Sequence, residues 1–228
     1  MGIGCKGFIT LEDLFETDLI DAMREAASEY RREHYTQTSH LIEKHTSIYS
    51  GMFHPTIDTI SRQFFGEYRI KGHVLVINPA KTGGTVGMKL PIFHRDADHG
   101  EHPYHATAWP TPLFQLRFFI ALSDIDGPEH GGLALYAGSH RTQAKWPFDP
   151  RTVPPNATLA TCKKGDCLLM HHAVWHTALP NTSDRDRMNM QYLTSPNWIR
   201  SKDAEQLSPE FFAQMPEEHQ ERITSSKW

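Results

Sequence analysis

The sequence predicts a mainly β fold, a jelly-roll barrel flanked by α-helices. Three observations predict it. Short runs of apolar and β-branched residues fill the middle of the chain, turn residues separate them, and helical periodicity is confined mainly to the two ends. At the N-terminal end, Leu19, Ile20, Met23, Ala26, Ala27 and Tyr30 fall on one helical face. Ile57, Ile60 and Phe64 give a second helix, stopped by Gly66. Tyr68 to Asn78 reads as a long strand because Ile70, Val74, Val76 and Ile77 recur along it. Further strands are predicted near Leu113–Leu122, Gly132–Tyr136, Ala157–Cys162, Cys167–Trp175 and Arg187–Thr194. Ser208-Pro209-Glu210 has the cap and first turn of a last short helix. With no repeat or low-complexity linker, the 228 residues make one domain. Its parts are a helical region over about 10–66, a barrel core over about 67–195 and a helical tail over about 203–228.

Composition narrows the function classes. Hydrophobic residues at 39% and charged residues at 22% are ordinary for a globular chain and argue against disorder. A formal charge of −4 gives no support to a nucleic-acid surface. No apolar run approaches the ~18 residues of a membrane span, and Met1 to Lys6 start no signal-peptide pattern. Cys5, Cys162 and Cys167 form no disulfide framework and point to a reducing, cytoplasmic setting. The oddity is histidine: many of the fifteen cluster between His94 and His105 and between His171 and His176. Both clusters bear on metal chemistry.

His94 and Asp96 are two residues apart, so an extended backbone turns both side chains to one side. His176, eighty residues downstream, must arrive from another strand folded over the first. Two imidazoles and a carboxylate are the ligand set of a non-haem iron(II) oxygenase, which leaves one face of the metal open. Arg187 follows the turn-rich run Pro180-Asn181-Thr182-Ser183-Asp184, which would return it beside His176. A planar, permanently charged guanidinium suits a dicarboxylate cosubstrate. Asp98 shares the strand face of Asp96 and is a rival ligand, while His171 and His172 compete with His176. His99, His102 and His105 read as loop or pocket-wall residues. Arg187 has a plainer reading as an ion-pair partner of Asp184 or Asp186.

These residues resemble the phytanoyl-CoA dioxygenase family of iron(II)/2-oxoglutarate oxygenases, over roughly Leu19 to Tyr192. His94-Arg95-Asp96 resembles its first metal pair. Ile120-Ala121-Leu122-Ser123-Asp124, Gly131-Gly132-Leu133 and Ala137-Gly138-Ser139-His140-Arg141 are similar to its central strand and the turn after it. Gly165-Asp166, His176, Pro180-Asn181-Thr182-Ser183 and Arg187 match its closing motif in order and spacing. The resemblance implies a double-stranded β-helix, a cupin-like jelly roll. It selects Asp96 over Asp98, and His176 over His171 and His172. It also implies iron(II), 2-oxoglutarate and O2 as cofactor, cosubstrate and oxidant, with Arg187 gripping the far carboxylate. Where many members carry a small hydroxyl residue two places after the distal histidine, this chain has Ala178, so Thr177 or Arg187 is expected to compensate.

Leu113 to Phe119 alternates, placing Gln115, Arg117 and Phe119 on one strand face. Phe119 matches a cavity-lining position of the family, so Gln115 is expected at the cosubstrate and Arg117 and Phe119 at the substrate pocket, with the barrel's outer face as the competing placement. Trp109, His171 and Trp175 are further pocket candidates. The implied activity is oxidation of an unactivated C–H bond of a small molecule, with 2-oxoglutarate converted to succinate. Halogenating relatives lack the carboxylate ligand, so Asp96 favours hydroxylation. No compact Lys/Arg cluster suits the phosphates of coenzyme A, and the His94-Arg95-Asp96 context and modest length resemble members that act on free small molecules in specialised metabolism. Two other classes fit a metal-bearing jelly roll: a non-redox cupin-like epimerase or hydrolase, and a binding protein with a structural metal. Neither needs a dicarboxylate clamp.

Overall fold

The computed structural model describes residues 3–81, 92–96, 112–142, 147–201 and 207–224. In chain order the elements are α1 (Ile3–Lys6), β1 (Phe8–Leu11), α2 (Thr17–Ser28), β2 (Thr36–Thr38), α3 (Thr46–Met52), α4 (Pro55–Phe65) and β3 (Tyr68–Asn78). Then come β4 (Leu116–Ala121), β5 (Leu133–Leu135), a 3-10 turn (Ser139–Arg141), β6 (Thr158–Leu159), β7 (Cys167–His171), β8 (His176–Ala178) and β9 (Arg187–Pro196). Two C-terminal helices follow, α5 (Pro209–Gln214) and α6 (Glu217–Ile223). Among the described residues, no helix is long and apolar enough to cross a membrane.

The strands form two antiparallel sheets, six-stranded β1-β7-β4-β9-β3-β2 and three-stranded β6-β5-β8. Phe119 and Ala121 of β4 and Leu168 and Met170 of β7 pack against Leu133 and Leu135 of β5. The two sheets therefore face each other across a shared interior, and the fold is a jelly roll. The opposite face of the large sheet, with Phe118, Ile120, Leu169, Met188, Met190 and Tyr192, packs on Ile20 and Met23 of α2 and Ile48 and Met52 of α3. Alternation along β9 thus divides its residues between two cores. The Tyr192 hydroxyl donates to Ile48 C=O at 2.8 Å, fastening the helical layer to that strand.

The helix predicted around Leu19–Tyr30 forms as α2, with Ile20, Met23, Ala26 and Ala27 buried. The second ends at Gly66, whose φ of 68° is a conformation that glycine adopts without strain. Ser208 caps α5 by accepting from Phe211 N–H at 3.2 Å. The N-terminal region is not purely helical. It also supplies β1, paired with β7, and β2, the edge strand beside β3.

Candidate metal centre

His94 and His176 form an isolated antiparallel bridge: each backbone N–H donates to the other's C=O at 3.0 Å. Asp96 N–H continues the pairing onto His172 C=O at 3.0 Å. Period-two alternation then sorts the side chains. Phe93 packs with Ala134 and Leu179, and Arg95 lies 4.9 Å over the Trp175 ring, reaching Thr142 C=O at 3.1 Å. His94, Asp96 and His176 converge on the other side. One ligand atom from each lies within 4.8 Å of the others.

The second nitrogen of each imidazole is already occupied. Nδ1 of His94 is 3.0 Å from Ile92 C=O, and Nδ1 of His176 is 2.9 Å from Val174 C=O. A carbonyl can only accept, so each Nδ1 carries the proton and each Nε2 keeps its lone pair for an ion. Burial, then the neighbouring His94, depress the His176 pKa to about 3 despite Asp96, so this imidazole is neutral and ready to ligate. Burial pushes the Asp96 carboxyl up. Arg117 outweighs that, with help from His176, His94 and His172, and holds the pKa below the ordinary carboxylate value. The Arg117 Nη2–Asp96 Oδ1 distance is 2.7 Å, and Asp96 Oδ2 is buried without a hydrogen-bond partner. An unsatisfied carboxylate oxygen beside two aimed imidazole lone pairs fits a divalent cation.

Arg187 enters from the opposite sheet. The turn after β8 is a crossover onto β9 and not a hairpin back beside His176, because β8 and β9 belong to different sheets. Asn181 fixes this crossover: its amide donates to Asn78 C=O and Arg185 C=O, both at 2.8 Å. Arg187 is 1% exposed and pairs with neither Asp184 nor Asp186; Asp186 instead meets Arg31 at 3.1 Å. Its Nε donates to Gly131 C=O at 3.0 Å, while its buried Nη2 has no partner among the described residues. Gly131 has φ +69°, and a Cβ there would lie 2.4 Å from the Asn78 amide, so glycine is required where the carbonyl meets Arg187. A buried guanidinium with a free donor is costly unless a ligand completes it.

The other predicted residues divide. Arg117 reaches the centre through Asp96, and Phe119 lies in the interior between the sheets. Gln115 precedes β4, and its side-chain oxygen accepts from Lys71 Nζ at 2.9 Å. Thr177 and Trp175 lie on the strand face opposite His176. The Thr177 hydroxyl accepts from Ile92 N–H at 2.8 Å and donates to Ala178 C=O at 3.2 Å, so it braces backbone and does not reach for a cosubstrate. Trp175 stacks under Arg95 on the outer side, away from a pocket at the metal. His171 turns toward a surface cleft lined with Cys5, Phe64 and His140. Its neighbour His172 is the one whose charge Asp96 feels. Trp109, Asp98, His99, His102 and His105 lie outside the described residues.

Sequence reasoning missed a buried polar row. Arg117 Nη1 donates to Gln191 Oε1 at 2.6 Å, and Gln191 donates to Asn189 Oδ1 at 2.8 Å. Polar residues at 187, 189 and 191 inside a buried strand were the available signal.

Comparison with known proteins places the chain in a family. The family model for phytanoyl-CoA dioxygenase matches residues 4–189. The dioxygenase sphC of Aspergillus fumigatus is 26% identical over 149 residues, 65% of this chain. The chain spans 39% of that protein's length. HygX from Streptomyces hygroscopicus, solved with nickel and 2-oxoglutarate bound, superposes with a TM-score of 0.70 at 15% identity, covering 88% of this chain and 86% of HygX. SnoK, a non-haem α-ketoglutarate-dependent carbocyclase from nogalamycin biosynthesis, gives 0.65 at 21% identity, covering 91% and 88%. At these identities the two structures speak for the fold, and the family match over most of the chain speaks for descent. The chain belongs to the phytanoyl-CoA dioxygenase family.

Proposed function

We propose that this protein is an iron(II)- and 2-oxoglutarate-dependent dioxygenase that hydroxylates an unactivated C–H bond of a small molecule. The observation that carries the reading is the pairing of two unsatisfied groups: the His94–Asp96–His176 cluster and the buried Arg187 donor on the facing sheet. Family membership supports it, as do a relative named as a dioxygenase and a similar fold solved with nickel and 2-oxoglutarate.

His94 Nε2, an Asp96 carboxylate oxygen and His176 Nε2 would hold the metal, with backbone carbonyls fixing both ring tautomers. When bound, iron, 2-oxoglutarate and O2 supply the oxidising power, with 2-oxoglutarate decarboxylated to succinate. The chain's own residues supply orientation and dryness. Arg187 holds the far carboxylate of the cosubstrate, and Arg117 keeps Asp96 ionised and aimed. The packed interior around Phe119, Leu135 and Met170 excludes water from one side of the centre. The SnoK likeness favours a second outcome at the same centre, oxidative ring closure. A non-redox metal site gives Arg187 nothing to hold.

The test is anaerobic loading with iron(II) and 2-oxoglutarate, addition of O2 and a library of small metabolites, and assay of succinate. Succinate formation stimulated by one library member, whose product gains one oxygen, is the expected result. Absence of any 2-oxoglutarate turnover, even uncoupled, contradicts the reading. Chloride or bromide in the same assay should give no halogenated product, because Asp96, as a ligand, would leave no place for a halide. A chlorinated product in the mass spectrum overturns that.

A further inference from the structure

We infer that Tyr35 supplies a second hydrogen-bond donor, beside Arg187, to the far carboxylate of 2-oxoglutarate; the inference rests on the cosubstrate reading above. The register of the large sheet leads to it. Thr36 and Gln37 of β2 pair with Ile77 and Val76 of β3. Asn78 of β3 pairs with Arg187 of β9, and Val76 with Asn189. Continued by one residue beyond β2, that register sets Tyr35 opposite Asn78, in the row of Arg187. Residues directly opposite in an antiparallel sheet project from the same face. That face is the inner one, since Ile77 and Met188 in the next row pack into the helical core.

Its neighbours agree. The Gln37 amide donates to the Tyr35 hydroxyl at 3.0 Å, which places both side chains on one face and leaves the phenol O–H free to donate elsewhere. Burial weakens the Arg187 guanidinium's hold on its proton, and the nearby Tyr35 phenol works against that. The two groups are therefore close, while Arg187 Nη2 still lacks a hydrogen-bond partner among the described residues.

The chemistry needs such a donor. A carboxylate presents about four acceptor sites, and Arg187 has already given its Nε to Gly131. Among the described residues, the neighbouring candidates are spent or absent. Ala178 has no donor, the Thr177 hydroxyl serves backbone groups, and the Asn78 amide donates to Leu179 C=O at 3.1 Å. Tyr35 immediately precedes the edge strand β2, and its hydroxyl is within hydrogen-bonding reach of the guanidinium. The clamp thus joins β9 to the segment just before β2, with β3 as the spacer between its two donors.

The experiment uses nickel(II)-loaded protein, which binds ligand without turnover, titrated by calorimetry with 2-oxoglutarate and with 2-oxobutyrate. The second ligand shares the keto-acid end and lacks the far carboxylate. Tyr35→Phe should weaken 2-oxoglutarate by about 10-fold, the loss of one hydrogen bond to a charged group. It should leave 2-oxobutyrate affinity and the thermal midpoint unchanged. Equal 2-oxoglutarate affinity in wild type and Tyr35→Phe overturns the assignment, as does an equal loss for both ligands, which would mean a general structural role. Wild-type protein that fails to bind 2-oxoglutarate removes the cosubstrate reading and this inference with it. Wild-type binding with an indifferent Tyr35→Phe removes Tyr35 alone.

Discussion

Arg187→Ala should weaken 2-oxoglutarate binding by about 30- to 1000-fold while leaving metal binding intact. The guanidinium is fully enclosed, and its free Nη2 donor would make a charge-assisted bond to a desolvated carboxylate. Truncating one partner of such a pair costs about 2–4 kcal/mol, much of it the penalty on the charge left behind. At 1.4 kcal/mol per decade, that is the stated range. Arg187→Lys should recover only part of the loss. A single ammonium cannot keep the bond to Gly131 C=O and also present a planar fork to the ligand. The measurement is an anaerobic titration of iron(II) protein followed by the metal-to-ligand charge-transfer band. Unchanged affinity in Arg187→Ala would falsify the cosubstrate assignment and favour a non-redox metal site.

His94→Ala and His176→Ala should each lower metal affinity by more than about 100-fold and abolish turnover, since each removes one of the three proposed ligands. The consequences for the fold should differ. His94 is the exposed member of the cluster, and its backbone bridge to His176 survives truncation of the side chain. His176 is buried, so its removal also opens a cavity against Leu135 and should lower the thermal midpoint as well. Asp98→Asn, the rival carboxylate, should retain most activity. Metal analysis after dialysis, paired with thermal unfolding, separates these outcomes. A fully metallated His94→Ala protein, or an Asp98→Asn protein as impaired as His94→Ala, would sink the ligand assignment.

Local patterns carried much of the fold. The bounds of β3 follow from the β-branched and apolar residues along it and the preceding Gly66, and the Ser208-Pro209 pair marks the start of α5. Elements whose stability comes from tertiary pairing were not legible. Strand β2 is Thr-Gln-Thr and β8 is three residues long, so neither shows a period of its own. Helix α3 contains Ser, Gly and two β-branched residues, and it is held by Ile48 and Met52 in the helical core. The same division applies to the centre. Spacing brings out His94 and Arg187 and narrows the other ligands to Asp96 or Asp98 and to His171, His172 or His176; the family resemblance makes the choice. Which neighbours assist them depends on strand facing, and a single step of alternation separates His172 from His171 and His176 from Thr177. Arg117 on Asp96 is a contact between β4 and a segment twenty residues earlier, which no local pattern contains.

The bridge between His94 and His176 has a thermodynamic consequence. Residues 92–96 rest on β8 and the His172 turn through a few backbone bonds, with Arg95 as an anchor on the outer side. With the proposed ligand set, docking of this segment and capture of a cation would be linked equilibria, because an ion would meet both histidines only when the segment is seated. By mass action, free ion at a hundred times its dissociation constant adds about 2.7 kcal/mol to the seated state. Ion activity would then govern how often the rim of the barrel opens, as well as whether the centre is filled. Protection of the His94 and His176 amides against solvent exchange becomes a gauge of metal supply.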